Sequence, residues 1–170
     1  YAVAPVSAAL HFDEPIGSPR RPVSTMSIWH DVDPKQFAAH PPPGTLAHHL
    51  AIEFTELGPD FLRGRMPVDG RTRQNYGILH GGASVSLAET LMSHAASLTV
   101  DRALYSCVGL EINANHIRSV RDGWVEGVAR SIHRGRSTQV WQCEIRDPSA
   151  RVTCLSRMTI SVISRVQTTS

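Results

Sequence analysis

Between Gln74 and Ser97 the chain reads QNYGILHGGASVSLAETLMSHAAS, and the residues able to do chemistry concentrate there. His80 stands directly before the pair Gly81 and Gly82, and Glu89 and Ser93 follow. The two glycines put no side chain in the way, so the backbone at Gly81 can approach a ligand closely. The run after them is Ala, Ser, Leu and Met without proline or further glycine, which predicts a helix from about Gly82 to about Val100. Amides at the start of such a helix point outward with the positive end of the helix dipole behind them, an arrangement that suits an oxyanion. A carboxylate two turns further on, Glu89, suits a base or a nucleophile.

Spacing adds a constraint. Gly81 and Glu89 are eight residues apart, about 12 Å along a helix axis. One Glu89 is therefore too distant to serve a carbonyl held at its own Gly81. Two antiparallel copies of the helix in a symmetric dimer resolve this, because Gly81 of one copy then faces Glu89 of the other. Ser93 lies one turn beyond Glu89 on the same face, where it can hydrogen-bond the carboxylate or a water.

The elements that must position these groups come next. The length of 170 residues suits one domain with a substantial core. A net charge of +2 leaves no concentrated basic footprint for nucleic acid. The cysteines, Cys107, Cys143 and Cys154, are odd in number and lack CxxC spacing, so neither a disulfide framework nor a zinc site is indicated. Cys143 and Cys154 sit in apolar strand-like runs and read as core. His48, His49, His94 and His133 have no metal-ligand spacing and read as packed or solvated; no metal is expected. No apolar run reaches the ~18 residues of a membrane span, and no signal peptide is evident, so the cytoplasm is the expected compartment.

Residues 1–25 are broken by Pro5, Pro15, Pro19 and Pro22 and show no periodicity. An N-terminal extension over 1–40, a leader or partly disordered, is expected before a domain over 41–165 and a frayed tail over 166–170. Asp33 to His40 reads as a short helix capped by Asp33, with Pro34 first. LAHHLAIEFTELG alternates near Leu50, Ile52 and Phe54 as a strand, and DFLRGRMPV returns after the Gly58–Pro59 turn. Four further strands follow the helix. The first is expected to set Val108, Leu110, Ile112 and Ala114 on one face against Gly109, Glu111, Asn113 and Asn115. Short joints, including Asp122–Gly123 and Arg134–Gly135, suggest an antiparallel meander. One long helix and about six long strands make an α+β domain, a curved sheet wrapped around the helix with one edge open to a second protomer.

GILHGGASVSLAET resembles the signature of hotdog-fold acyl-CoA thioesterases. With VGLEINANHIRSVRDG and QVWQCEIRD it is similar to the group that holds the 1,4-dihydroxy-2-naphthoyl-CoA thioesterases of menaquinone synthesis and the enterobactin proofreading thioesterases. The likeness runs from about Leu46 to Val162. It implies the hotdog fold, a site between two protomers and a homotetramer. It also implies a role for each matched residue. Glu89 is the catalytic carboxylate, and the Gly81 amide polarises the thioester carbonyl. Gln74 and His80 orient substrate and water, Ser93 assists hydrolysis, and His116 lies near the acyl group or pantetheine arm. Tyr76, Leu91 and Met92 depart from the relatives, which bears on the acyl pocket. Thioester hydrolysis needs no metal or redox cofactor, coenzyme A being part of the substrate. Its phosphates need cations, for which Arg118, Arg121, Arg134 and Arg136 are candidates, and Val108, Gly109 and Leu110 offer an edge for the pantetheine arm.

The expected function is hydrolysis of aromatic or polycyclic acyl-CoA thioesters. A second reading is proofreading of aryl groups on an acyl carrier protein. A third is a non-catalytic acyl-CoA sensor, against which residues 1–40 show no helix-turn-helix pattern, and a dehydratase is a further activity this fold can carry.

Overall fold

The computed structural model describes residues 27–37 and 39–165. A 3-10 turn (Pro34–Gln36) and a single helical turn, α1 (Leu46–His49), precede strands β1 (Glu53–Leu57) and β2 (Phe61–Pro67). The long helix α2 (Gly81–Leu98) comes next. Strands β3 (Tyr105–His116), β4 (Trp124–Arg134), β5 (Thr138–Arg146) and β6 (Val152–Ser164) complete the domain. All six strands join one antiparallel sheet, ordered β1-β2-β4-β5-β6-β3, with α2 packed against one face. This is the α+β hotdog arrangement that the motifs imply.

Helix α2 buries Leu87, Ala88, Leu91, Met92, Ala95 and Ala96 completely. The alanines let the sheet approach closely, and glycines on the strands complete the fit. Gly64 of β2 and Gly127 of β4 pair across the sheet, and Leu91 fills the notch between them. A Cβ would come within 2.6 Å of a Leu91 methyl at Gly64 and within 2.8 Å of the other at Gly127. The helix starts one residue earlier and ends two residues earlier than expected, because His80 caps its start and the Thr99 amide closes on the Ala96 carbonyl.

The expected meander holds for β4, β5 and β6 but not for β3. That strand lies beyond β6 at the sheet edge, and β2 takes the place beside β4. The Ile117 and Arg118 amides both donate to the Thr153 carbonyl, so the chain leaving β3 stays beside β6. It then crosses the start of α2, where the Val120 carbonyl accepts from Leu79 and the Val120 side chain is buried, and enters β4 beside β2. Asp122–Gly123 is therefore the end of a crossover and not a hairpin turn.

The expected β3 alternation also fails. Gly109 pairs with Ile160 and Glu111 with Thr159, which leaves Leu110 as a bulge. The extra residue inverts the faces. Cys107, Ile112 and Ala114 pack on the core, whereas Val108 and Leu110 are 46% and 65% exposed.

Three N-terminal expectations change as well. Residues Leu46 to His49 form a helical turn and not a strand, because the Thr45 hydroxyl accepts from the His48 amide as a cap; the strand begins only at Glu53. The predicted helix at Asp33 is one 3-10 turn, capped by Asp33 with Pro34 first, after which Phe37 is extended and packs on Phe54 and His94. The expected domain start at residue 41 leaves out Trp29, which is buried and stacks on Trp141 at 6.3 Å. The Trp29 indole donates to the Gly58 carbonyl at 2.7 Å. The expected leader over 1–25 and the tail over 166–170 lie outside the described residues.

Cys143 and Cys154 are buried among the strands, and Cys107 is half-buried; all three are free thiols. Burial pushes each thiol above its usual range. Among the described residues no helix is long and apolar enough to cross a membrane.

Candidate active site

The loop from Val68 to His80 brings the chemistry to the start of α2, and Thr72 organises it. The Thr72 hydroxyl donates to the Pro67 carbonyl at 2.7 Å and accepts from the Asp69 amide at 3.0 Å. The Thr72 carbonyl accepts from the His80 amide at 2.8 Å. Both ends of the loop are thus tied to one buried residue. Arg71 beside Asp69 holds that carboxyl below the usual carboxylate range. A tighter turn projects from the loop. The Gln74 amide donates to Ile78 and the Gly77 amide to Gln74, each at 2.9 Å, and Gly77 has φ +71.

Four amides open α2, and they are not equivalent. Gly82 donates to His80 Nδ1 at 2.8 Å. Ala83 and Ser84 both donate to the His80 carbonyl, at 3.0 and 3.1 Å. Among the described residues the amide of Gly81 has no acceptor. Gly81 lines a cleft of about 350 Å³ together with Gln74, Ile78, His116, Ile117 and Arg118. Because His80 Nδ1 accepts the cap, the proton of the neutral ring is assigned to Nε2, which makes that nitrogen a donor.

His116 closes the cleft from β3, with Nε2 2.8 Å from the position a Cβ on Gly81 would take. Gln74, Gly81, His116 and Arg118 thus line one cleft, and His80 caps the helix beside it. Arg118 is held by donation from Nη1 to the Val152 carbonyl at 2.6 Å.

Glu89 is elsewhere. It is exposed on the β3 side of α2, with Oε1 3.9 Å from the Cβ position of Gly109. Its nearest strand neighbours belong to the same β3 stretch as Val108 and Leu110, so these residues group with Glu89 and not with Gly81. Ser93 departs from expectation: its hydroxyl points to Met158 Sδ at 3.8 Å instead of to Glu89. Met158 is a buried β6 residue, and its terminal methyl takes the space that a side chain at Gly109 would need.

The candidate cations divide in the same way. Arg134 ends β4 and Arg136 lies in the turn before β5, whose first residue, Thr138, pairs with Ser161, itself paired with Val108. They stand at the level of Val108, eight residues and roughly 26 Å along β3 from His116. Arg121 lends its carbonyl to Arg73 Nε at 2.9 Å. Sequence reasoning missed Thr72, Ile78 and Ile117. A lone Thr in a polar loop carries no signal of burial, and the two isoleucines stand outside any periodic run.

The thioesterase superfamily profile matches residues 76–154. The 1,4-dihydroxy-2-naphthoyl-CoA hydrolase of Escherichia coli is 48% identical over 120 residues, covering 71% of this chain and 88% of that protein. A proofreading thioesterase of Cronobacter turicensis is 50% identical over 120 residues, covering 71% and 87%. The crystal structure of a thioesterase from Haemophilus influenzae superposes with a TM-score of 0.72 at 45% identity, covering 75% of this chain and 89% of that one. The strand order, the long helix and these likenesses agree: the chain belongs to the thioesterase superfamily and is a thioester hydrolase with the hotdog fold.

Proposed function

We propose that the chain hydrolyses aromatic or polycyclic acyl-CoA thioesters, such as 1,4-dihydroxy-2-naphthoyl-CoA in menaquinone synthesis, at a site shared by two protomers. The observation that carries this reading is Gly81, a cleft-lining residue whose amide has no acceptor among the described residues, on a helix whose only carboxylate, Glu89, lies about 12 Å along the axis. In a dimer paired through the open β3 edge, Glu89 of one protomer serves the carbonyl held at Gly81 of the other. Exposed Val108 and Leu110 on that edge supply apolar surface for the pairing and for the pantetheine arm.

The thioester carbonyl accepts from the Gly81 amide, and the dipole of α2 stabilises the oxyanion as it forms. Glu89 either attacks the carbonyl carbon, giving a mixed anhydride that water then opens, or takes a proton from the attacking water. Coenzyme A leaves as its thiolate. Gln74 and the Nε2 donor of His80 orient substrate and water. Ser93 assists Glu89 by turning its hydroxyl away from Met158. His116 lines the acyl end of the cleft, and Arg118 meets a coenzyme A phosphate, with Arg134 and Arg136 serving the other half of the assembly. On either route the acyl carbon exchanges sulfur for oxygen with no change of oxidation state, so the reaction calls for no redox cofactor and no step calls for a metal. Two dimers make a homotetramer, and the compartment is the cytoplasm.

The likeness to a proofreading thioesterase favours one second reading, release of aryl groups from an acyl carrier protein. A direct comparison of acyl-CoA with acyl-carrier substrates separates the two.

The test is thiol release from benzoyl-CoA, 1,4-dihydroxy-2-naphthoyl-CoA, phenylacetyl-CoA and a medium-chain acyl-CoA, with Glu89→Gln run beside the parent. The aromatic thioesters are expected to turn over, and the variant to lose about 10³-fold, roughly 4 kcal/mol of barrier. A variant as active as the parent removes Glu89 from the mechanism, and turnover of the medium-chain thioester alone removes the aromatic reading.

A further inference from the structure

Tyr76 is the most exposed large hydrophobic residue among those described, at 82%. It is not on a loose segment. It stands at the tip of the turn that the Gln74 to Ile78 and Gly77 to Gln74 hydrogen bonds close, and its own amide donates to Gln74 Oε1 at 3.4 Å. The base of the turn is fixed in turn by the Arg73–Leu79 bridge and by donation from the Leu79 amide to the Val120 carbonyl. The backbone that carries the ring is thus fixed, and no described residue of its own protomer covers the ring.

The two residues on either side of the tip, Gln74 and Ile78, line the cleft at Gly81, as does Ile117, itself 47% exposed. Tyr76 therefore projects from a turn whose base residues line a cleft that holds Ile78, Leu79 and Ile117 beside Gly81. An aliphatic wall on one side and an aromatic ring on the other suit a flat acyl group between them, because aromatic faces pair well with a second ring.

We propose that Tyr76 is a specificity-determining residue, packing its ring on the aromatic acyl group whose carbonyl rests at the Gly81 amide. The inference deepens the functional reading above and rests on it. Tyr76 takes no part in the chemistry; it selects the acyl group.

The experiment compares kcat/KM for benzoyl-CoA and hexanoyl-CoA in the parent, Tyr76→Ala and Tyr76→Phe, with the mass of each in solution measured by light scattering. Loss of a ring–ring contact is expected to lower kcat/KM for benzoyl-CoA about tenfold in the Ala variant, mainly through KM. Hexanoyl-CoA turnover and the oligomeric mass stay at parent values, and the Phe variant restores the benzoyl rate. An equal loss on both substrates, no loss on either, or dissociation of the Ala variant overturns the proposal, the last by making Tyr76 a subunit contact. A parent that hydrolyses hexanoyl-CoA but not benzoyl-CoA overturns the aromatic reading together with Tyr76's role. A parent that hydrolyses neither tells against the functional reading itself.

Discussion

The imidazole of His116 occupies the space that a side chain at position 81 would need, with Nε2 2.8 Å from the Cβ position of Gly81. The glycine is thus required by contact, quite apart from its φ, which is helical. Gly81→Ala must push the ring aside or shift the amide that faces the cleft. Helix propensity favours the alanine, so folding is retained. We expect an unchanged far-ultraviolet spectrum with kcat reduced about 10²-fold, the scale of one misplaced oxyanion donor. Adding His116→Ala to Gly81→Ala relieves the contact, and the double variant is expected to be more active than Gly81→Ala alone. Steady-state kinetics on the three variants checks this.

His94 gives the fold a pH dependence. Its ring stacks on Phe54 at 4.5 Å and lies 6.0 Å from Phe37. Burial first, and the charge of Arg102 second, hold its pKa below the usual 6.5. The folded state therefore binds the proton less readily than the unfolded chain. Stability is full above about pH 6.5 and falls as the pH drops from there through the lowered folded pKa. Melting temperatures taken between pH 8 and pH 5 (roughly the window in which histidine titrates) are expected to decline on the acid side in the parent. In His94→Phe, which keeps the ring stack and removes the proton, that part of the decline disappears. Parallel curves for the two proteins would clear His94 of the effect.

The notch that Gly64 and Gly127 make for Leu91 predicts an overpacking penalty. Gly127→Ala puts a methyl within 2.8 Å of Leu91 Cδ1 and 3.2 Å of Cys143 Sγ. Both neighbours are completely or almost completely buried and have nowhere to move. A loss of about 1–3 kcal/mol is expected from urea unfolding, although alanine is otherwise favoured over glycine in a strand. The companion variant Leu91→Ala leaves a cavity and is expected to lose about 2–5 kcal/mol.

What could be read from the chain without coordinates was what is local in sequence. The two glycines, the residue before them and the helix after them lie within one stretch, so the exposed amide and the distant Glu89 followed from the count of residues. The hotdog architecture was implied by the resemblance that the same stretch carries. The place of β3 was not, because strand partners are chosen by contacts far apart in sequence, here Thr153 with Ile117 and Val120 with Leu79. The bulge at Leu110 was equally hidden. GLEINANH alternates without a break in letters, and only the pairing of Gly109 with Ile160 and Glu111 with Thr159 reveals the residue left over. The cap at Thr45 and the turn of Ser93 toward Met158 depend on single hydroxyl groups, whose partners no periodicity announces.

The two borders of the sheet are unequal, and this limits how copies can add to one another. β3 offers a strand of twelve residues with Val108 and Leu110 in the open, whereas β1 offers five, among them Glu53 and Glu56. A chain equally receptive on both borders could add copy after copy into a ribbon of unlimited length. With one receptive border, two copies related by a twofold axis use up each other's capacity and growth stops. On the proposed pairing through β3, the short, charged β1 acts as a terminator, keeping an exposed strand compatible with a discrete particle.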